Sequence, residues 1–349
     1  MTIDGIRSDL PVAAGPSLSP DLTPPRFPLA ILPTPLVEAP RLSAALGGPR
    51  ILVKRDDMTG FGFGGNKIRN LEFYLADAIN QGCDVIVTGG GPQSNHIRAT
   101  AAAARVAGLS AAAVMHGSRP AENQGNLLLD QILNVELYFT DNPDRGLVDH
   151  RIREVSEELK RSGSRPYLIP RGGATALGAC GYVACLLEII KQSAALGVQP
   201  NWIVLATGSC GTQGGLLAGV KINHSSIQVM GITVSRPVPE CRERIANIAR
   251  ETSTLLGYHI DLKPSDILIK GDSIGPGFGI PTPECIDAIR LLARTEGLFF
   301  DPTYTGKALA GLMSEIKDGR LGPEDTVVFL HTGGEPGLFA HPDIGDAPS

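Results

Sequence analysis

The chain is expected to be an α/β protein of two domains, built on parallel sheets flanked by helices. Apolar stretches with strand character recur near residues 51, 85, 112, 136, 167, 203, 229 and 327, separated by helical stretches at 70–80, 94–107, 121–132, 145–162, 176–193 and 283–296. Strands that alternate with helices in this way pair in parallel, each helix crossing back over a sheet face. Glycine turns close two of the strands, in Thr88-Gly89-Gly90-Gly91 and Thr207-Gly208-Ser209-Cys210-Gly211. At 349 residues the chain is long enough for two domains with substantial cores.

Composition excludes several classes. The net charge is -5 and the basic residues are scattered, so neither nucleic acid nor an anionic membrane surface is an expected partner. No apolar run approaches the roughly 20 residues of a membrane helix. Residues 1–27 hold several prolines and no basic cluster ahead of an apolar stretch, which predicts a disordered or loosely docked tail rather than a signal peptide. Six cysteines lack C-x-x-C spacing and read as reduced core residues, with no metal site and no disulfide framework. A soluble, cytoplasmic protein is expected.

Four segments carry chemistry. In Gly64-Gly65-Asn66-Lys67-Ile68-Arg69-Asn70 a lysine stands where a glycine pair meets a helix start, a place from which its amine can hold a covalent cofactor. Gln93-Ser94-Asn95-His96 follows the strand 84–87 and opens the alanine-rich helix 99–104. A helix start of that kind binds anions, although Ser94 would serve equally as an N-cap. Thr207-Gly208-Ser209-Cys210-Gly211-Thr212 repeats the strand, loop and helix pattern, and its amides with the Ser209 and Thr212 hydroxyls suit a phosphate. It is no dinucleotide fingerprint: the glycines run G-x-x-G-x-x-G and the next strand ends in Ser235 rather than an acid. The fourth comprises Asp301-Pro302-Thr303-Tyr304-Thr305 and the strand 327–330 running into His331-Thr332-Gly333-Gly334.

In this order, these segments resemble the pyridoxal-phosphate enzymes of the 1-aminocyclopropane-1-carboxylate deaminase and D-cysteine desulfhydrase family, in the tryptophan synthase β-like group (fold type II). The likeness runs from Leu32 to Leu338. It implies a tail at 1–27, a large cofactor-binding domain at 28–65 and 186–349, a smaller inserted domain at 66–185, and a homodimer. It also implies pyridoxal 5'-phosphate as cofactor and a small amino acid as substrate. Lys67 becomes the Schiff-base lysine and proton carrier, with Ser94 and Tyr304 as its catalytic companions. Asn95 faces the ring hydroxyl oxygen, residues 207–212 hold the phosphate, and Thr332 lies beside the ring nitrogen. Gln93, Ser94, Asn95, His96, Tyr304 and Thr305 meet the substrate.

The deaminases carry glutamate after the active-site tyrosine and leucine before the last Gly-Gly, where this chain has Thr305 and Thr332. Both residues resemble the desulfhydrase side and imply β-elimination, D-cysteine to pyruvate, ammonia and hydrogen sulfide. Alternatives are cysteate or another β-substituted alanine, the cyclopropane substrate, or binding without catalysis. Phe61 and Phe63 are bulkier than expected and could line the pocket. Cys210, where relatives commonly have glycine, would crowd the loop if the backbone needs positive φ.

Overall fold

A computed structural model describes residues 23–345. Among these residues ten strands form two sheets. The larger has the order β1 (Leu36–Glu38), β2 (Arg50–Arg55), β10 (Thr326–His331), β7 (Trp202–Thr207), β8 (Gln228–Thr233) and β9 (Leu268–Lys270). The smaller has the order β5 (Glu136–Phe139), β4 (Ser110–Met115), β3 (Val85–Gly90) and β6 (Pro166–Leu168). Only the β1–β2 pair is antiparallel. Ile203, Val204 and Leu205 in β7, like Val327, Val328, Phe329 and Leu330 in β10, are buried on both faces, as parallel strands covered by helices must be. All eight expected strands form. β1 and β9 are three-residue edge strands, too short to show alternation.

The helices are α1 (Pro40–Leu46), α2 (Lys67–Asn80), α3 (Asn95–Val106), α4 (Gly125–Ile132), α5 (Gly146–Arg161), α6 (Ala176–Ala195), α7 (Gly211–Ile222), α8 (Val238–Leu255), α9 (Pro283–Glu296), α10 (Thr305–Lys317) and α11 (Glu335–Leu338). α6 is apolar nearly all round because it lies between α2 and α7. Gly181 and Gly215 make those contacts possible: a Cβ on the first would sit 2.7 Å from the Arg69 carbonyl oxygen, and on the second 2.3 Å from that of Ala179. None of the described helices is long and apolar enough to cross a membrane.

Residues 1–22 of the expected tail lie outside the described residues, while its end is docked on α2. Arg26 pairs with Glu72 and lies over the Phe73 ring, and the Phe27 amide donates to the Glu72 carbonyl. The Glu72 carboxylate also accepts from the amides of Leu29 and Ala30, both at 2.9 Å. Beneath α2, Arg69 is buried with Asp56 and faces the half-buried Glu188, and joins the turn after β2, α2 and α6 through hydrogen bonds of 2.8 Å.

Candidate active site

A cavity of about 510 Å³ opens where the C-terminal ends of β3, β4 and β6 face those of β7, β8 and β10. Crevices outside the carboxyl ends of parallel strands are where α/β proteins bind ligands, because the loops and helix N-termini gather there. Lys67 lies in its wall at the first residue of α2. Its amine donates to the Gly172 carbonyl at 3.0 Å and to Ser209 Oγ at 3.4 Å. Burial lowers its pKa to about 8, with the nearby Cys210 opposing the shift. The positive end of α2 disfavours the ammonium in the same sense. The lysine is placed by packing of glycine on glycine. A Cβ on Gly333 would come within 2.7 Å of Gly65 Cα, and one on Gly64 within 1.8 Å of the Asp57 carbonyl oxygen. Both have positive φ, 78° and 62°.

The segment 93–96 reaches the cavity, but its side chains divide. Ser94 is the N-cap of α3, accepting from the Ile97 amide at 3.3 Å, and keeps its own hydroxyl proton to donate. Asn95 Oδ1 accepts from Asn126 at 2.8 Å, which leaves its amide nitrogen for the cavity. Gln93 requires correction as a direct substrate ligand: its carboxamide donates to the Gln124 carbonyl and accepts from the Asn126 amide, and so ties the loop to α4. His96 is buried, with Nε2 2.9 Å from Thr88 Oγ1 and Nδ1 without a partner. Burial first, and then the charge of Lys67, push its pKa down to about 3, so the imidazole is neutral.

Across the cavity, residues 207–212 run from β7 into α7, and all except Gly211 line the wall. Thr212 Oγ1 accepts from Asn66 at 3.0 Å and so turns its own proton toward the cavity. The Thr207 hydroxyl donates to Gln213 Oε1 at 2.8 Å and is buried beneath the loop, so the hydroxyls on the cavity side are those of Ser209 and Thr212. Cys210 has φ 79°, the left-handed conformation that crowds a Cβ. Its side chain packs in the α6–α7–α8 core. The Cys241 sulfur and burial together raise its pKa, so it stays a thiol. Cys210→Gly relieves the backbone while removing buried sulfur. The two terms nearly cancel, and stability measured by urea titration is expected to change by less than about 1 kcal/mol, with cofactor affinity unchanged. A large loss of cofactor binding would mean that the sulfur itself is used.

Tyr304 lines the cavity over the loop 207–212, where a Cβ on Gly208 would sit 3.3 Å from its ring. Burial, and next the charge of Asp301, hold its phenol well above the usual value. Phe278 packs edge-on against it, with centroids 5.8 Å apart. Thr332 also lines the cavity, and its carbonyl accepts the Asn66 amide at 3.0 Å, next to Lys67.

Thr305 requires correction. It is fully buried away from the cavity, donating to Asp301 Oδ1 at 2.8 Å and accepting the Asp301 amide at 2.8 Å. Asp301 in turn accepts from the amides of residues 303, 304 and 305, so this pair builds the start of α10 that aims Tyr304. Thr305→Glu is therefore expected to place a second carboxyl against a buried one and to destabilise the fold by about 3 kcal/mol or more, without opening a path to the cyclopropane substrate. A cooperative melt unchanged from wild type would contradict this. Phe61 and Phe63 also need correction. Phe61 packs against the α2–α3 core, Phe63 is 67% exposed, and neither ring lines the cavity.

Several lining residues carry little signal in the sequence: His116, Arg145, Arg171, Ser235, Arg236 and Phe278. Arg171 stands ahead of Gly172-Gly173 and Phe278 between Gly277 and Gly279, while His116 and Arg145 each precede a single glycine. Elsewhere, Asp57, His331 and Glu335 bring three ligand atoms within 4.8 Å of one another, but Arg55 already pairs with Asp57 at 2.6 Å.

The wall suits pyridoxal phosphate. It offers a half-buried amine with a lowered pKa, a twelve-residue helix whose N-terminus carries two hydroxyls, and buried polar atoms with no protein partner, among them His96 Nδ1 and Ser235 Oγ. Fold and cavity thus have the form of an α/β enzyme with parallel sheets flanked by helices and a ligand cleft at their carboxyl ends. The model of the family "Pyridoxal-phosphate dependent enzyme" matches residues 28–333, and the chain belongs to that family. It is 42% identical over 328 residues to the D-cysteine desulfhydrase of Yersinia enterocolitica, covering 92% of this chain and 97% of the relative. To that of Salmonella choleraesuis it is 40% identical over 329 residues, with the same coverage. A solved structure of an ACC deaminase homologue matches at 38% identity and a TM-score of 0.86, over 93% of this chain and 98% of that one. Diaminopropionate ammonia lyase of Escherichia coli, 16% identical, shares the fold with a TM-score of 0.64 over 90% and 86%. The chain is a pyridoxal-phosphate-dependent enzyme.

Proposed function

We propose that this enzyme is a lyase acting by β-elimination on a small sulfur amino acid, taking D-cysteine and water to pyruvate, ammonia and hydrogen sulfide. The observation that carries the reading is Lys67, a half-buried amine with its pKa near 8 between two helix N-termini, in a chain 42% identical to a D-cysteine desulfhydrase. Lys67, Asn95, Thr332 and the loop 208–212 would hold the cofactor, which when bound supplies an electron-withdrawing ring that acidifies the Cα proton. Lys67 takes that proton. The amides and hydroxyl at the start of α3 hold the substrate carboxylate, and Tyr304 stands over the reacting carbons, where a phenol can pass a proton to the departing sulfur. The Cβ–S bond breaks with its electron pair on sulfur. Among the lining residues the only carboxylate is Glu122, exposed at the rim, so no acid stands beside Thr332 to protonate a ring nitrogen. That favours a brief carbanion and a good leaving group over ring opening.

The test is product release from D- and L-cysteine, β-chloroalanine and the cyclopropane substrate. Pyruvate with sulfide from D-cysteine is expected, and a higher kcat/KM for the cyclopropane than for every β-substituted alanine would overturn the reading. We further propose a cytoplasmic homodimer, a reading supported by six free cysteines and by the family resemblance. The smaller sheet with its helices would form the inserted domain within 66–185, and α6 would span its end and pack on the larger sheet's core.

A further inference from the structure

Lys307 is fully buried and does not line the cavity. It lies in the first turn of α10, three residues beyond Tyr304 and so on the same side of the helix. That is a costly place for an ammonium, because burial removes its water and the positive end of the helix repels it. Its hydrogen bonds go to two carbonyls, Ile274 at 2.6 Å and Gly277 at 2.8 Å. Both belong to the connection between β9 and α9, whose own backbone bonds are long: the Ile274 amide donates to Gly271 at 3.3 Å and the Ile280 amide to Gly277 at 3.4 Å. Gly275 and Gly279 have φ of 64° and 79°, a freedom that no side chain stiffens. The segment nevertheless reaches the active site, since Phe278 and Gly279 line the cavity. The Phe278 ring stands edge-on to Tyr304 and carries the Arg145 guanidinium 3.9 Å from its centroid.

Asp301 accepts the Tyr304 amide at 2.9 Å and so fixes its backbone, but the phenol oxygen has no hydrogen-bond partner among the described residues. The direction of the ring is therefore set by what packs on it, and Phe278 is the aromatic that does so. We propose that Lys307 is a positioning residue: by holding the Ile274 and Gly277 carbonyls it pins the segment 274–279 to α10, so that Phe278 keeps the Tyr304 phenol aimed into the cavity. Lys307 and Tyr304 share one helical turn, so the two hydrogen bonds fix Phe278 against the same backbone that carries the phenol. An apolar side chain in place of Lys307 would strand both carbonyls and free the segment. This inference rests on the β-elimination reading for what Tyr304 does, while the pinning stands apart from it.

Hydrogen exchange and kinetics of the holoenzyme test the two parts. In Lys307→Met the amides of residues 274–280 are expected to exchange at least about tenfold faster than in wild type, while those of α2 and α7 are unchanged. Borohydride should still fix the cofactor on Lys67. Pyruvate release from D-cysteine should lose at least about tenfold in kcat, with KM changed by less than about threefold. Added to Tyr304→Phe, the same change should cost less than about twofold in kcat, because the phenol it acts through is already gone. A lysine needed only for folding would lower the melting temperature and cut kcat equally in both backgrounds. Equal losses in the two backgrounds, or unchanged exchange at 274–280, would overturn the proposal. Phe278→Leu leaves Lys307 in place and should reproduce both the loss and its disappearance beside Tyr304→Phe, which decides the matter if Lys307→Met does not fold. Retention of kcat in Phe278→Leu would equally overturn it. Should wild type eliminate no amino acid, the reaction reading fails, and exchange at 274–280 alone decides the pinning.

Discussion

Lys67→Ala is expected to lower turnover by at least about three orders of magnitude, because one amine both anchors the cofactor and carries the Cα proton. Cofactor binding should persist, weakened, through the 208–212 loop. Borohydride reduction followed by peptide mass spectrometry should place the cofactor on Lys67 in wild type and nowhere in the variant. Other lysines are engaged elsewhere: Lys54 bonds the Thr34 carbonyl, Glu188 and Gln192, and Lys307 donates to the carbonyls of Ile274 and Gly277. A reduced adduct on Lys54, Lys221 or Lys307 would sink the assignment. Only the neutral amine attacks a carbonyl, so covalent capture of pyridoxal phosphate by apoprotein should accelerate as pH rises toward 8 and level off above it. A profile still climbing steeply at pH 10 would mean that the lysine is not buried as described.

Arg69→Ala should give the largest loss of stability, about 3–5 kcal/mol, since it strands Asp56 and Glu188 without the cation that both face. Burial works to raise the Asp56 pKa, but the charge and hydrogen bonds of Arg69, with help from Lys54 and Tyr182, bring it below its ordinary 3.8. A depressed carboxyl stabilises the fold fully above its unfolded pKa, and that contribution disappears as pH falls through the folded value. Urea titrations of wild type and variant should therefore differ most near neutrality and converge below pH 3.8. A difference under about 1 kcal/mol at pH 7 would show that the network is replaceable. Because Arg69 lies two residues beyond Lys67 on α2, surviving variant protein should also hold its cofactor less tightly.

The site was legible where it is local. Lys67, Ser94, Asn95 and the loop 207–212 each lie within a strand, glycine turn and helix start, and such a segment has one backbone solution that can be read from a few consecutive residues. Arg145, Arg171, His116 and Phe278 were not legible, because the glycine beside each says nothing of where its side chain points. They meet only because parallel strands align their C-terminal ends on one side of a sheet. Gln93 and Thr207 show the same limit in reverse. Their positions beside the cavity follow from sequence, but partners distant in space, the start of α4 for one and Gln213 for the other, draw their side chains away.

Tyr304 and Thr305 mark the division most sharply. They are neighbours in a motif, and both were expected at the substrate. At a helix start, successive side chains are turned by about 100°, so the tyrosine that faces the cavity forces the threonine into the core with Asp301. Sequence by itself determined the strand and helix alternation, the lysine and the two helix starts that follow glycine turns, since propensity, periodicity and turn chemistry act over short stretches of chain. Tertiary structure alone decided which side chains converge on the cavity and which are spent on the scaffold, because burial and long-range charge depend on distances that chain order does not encode.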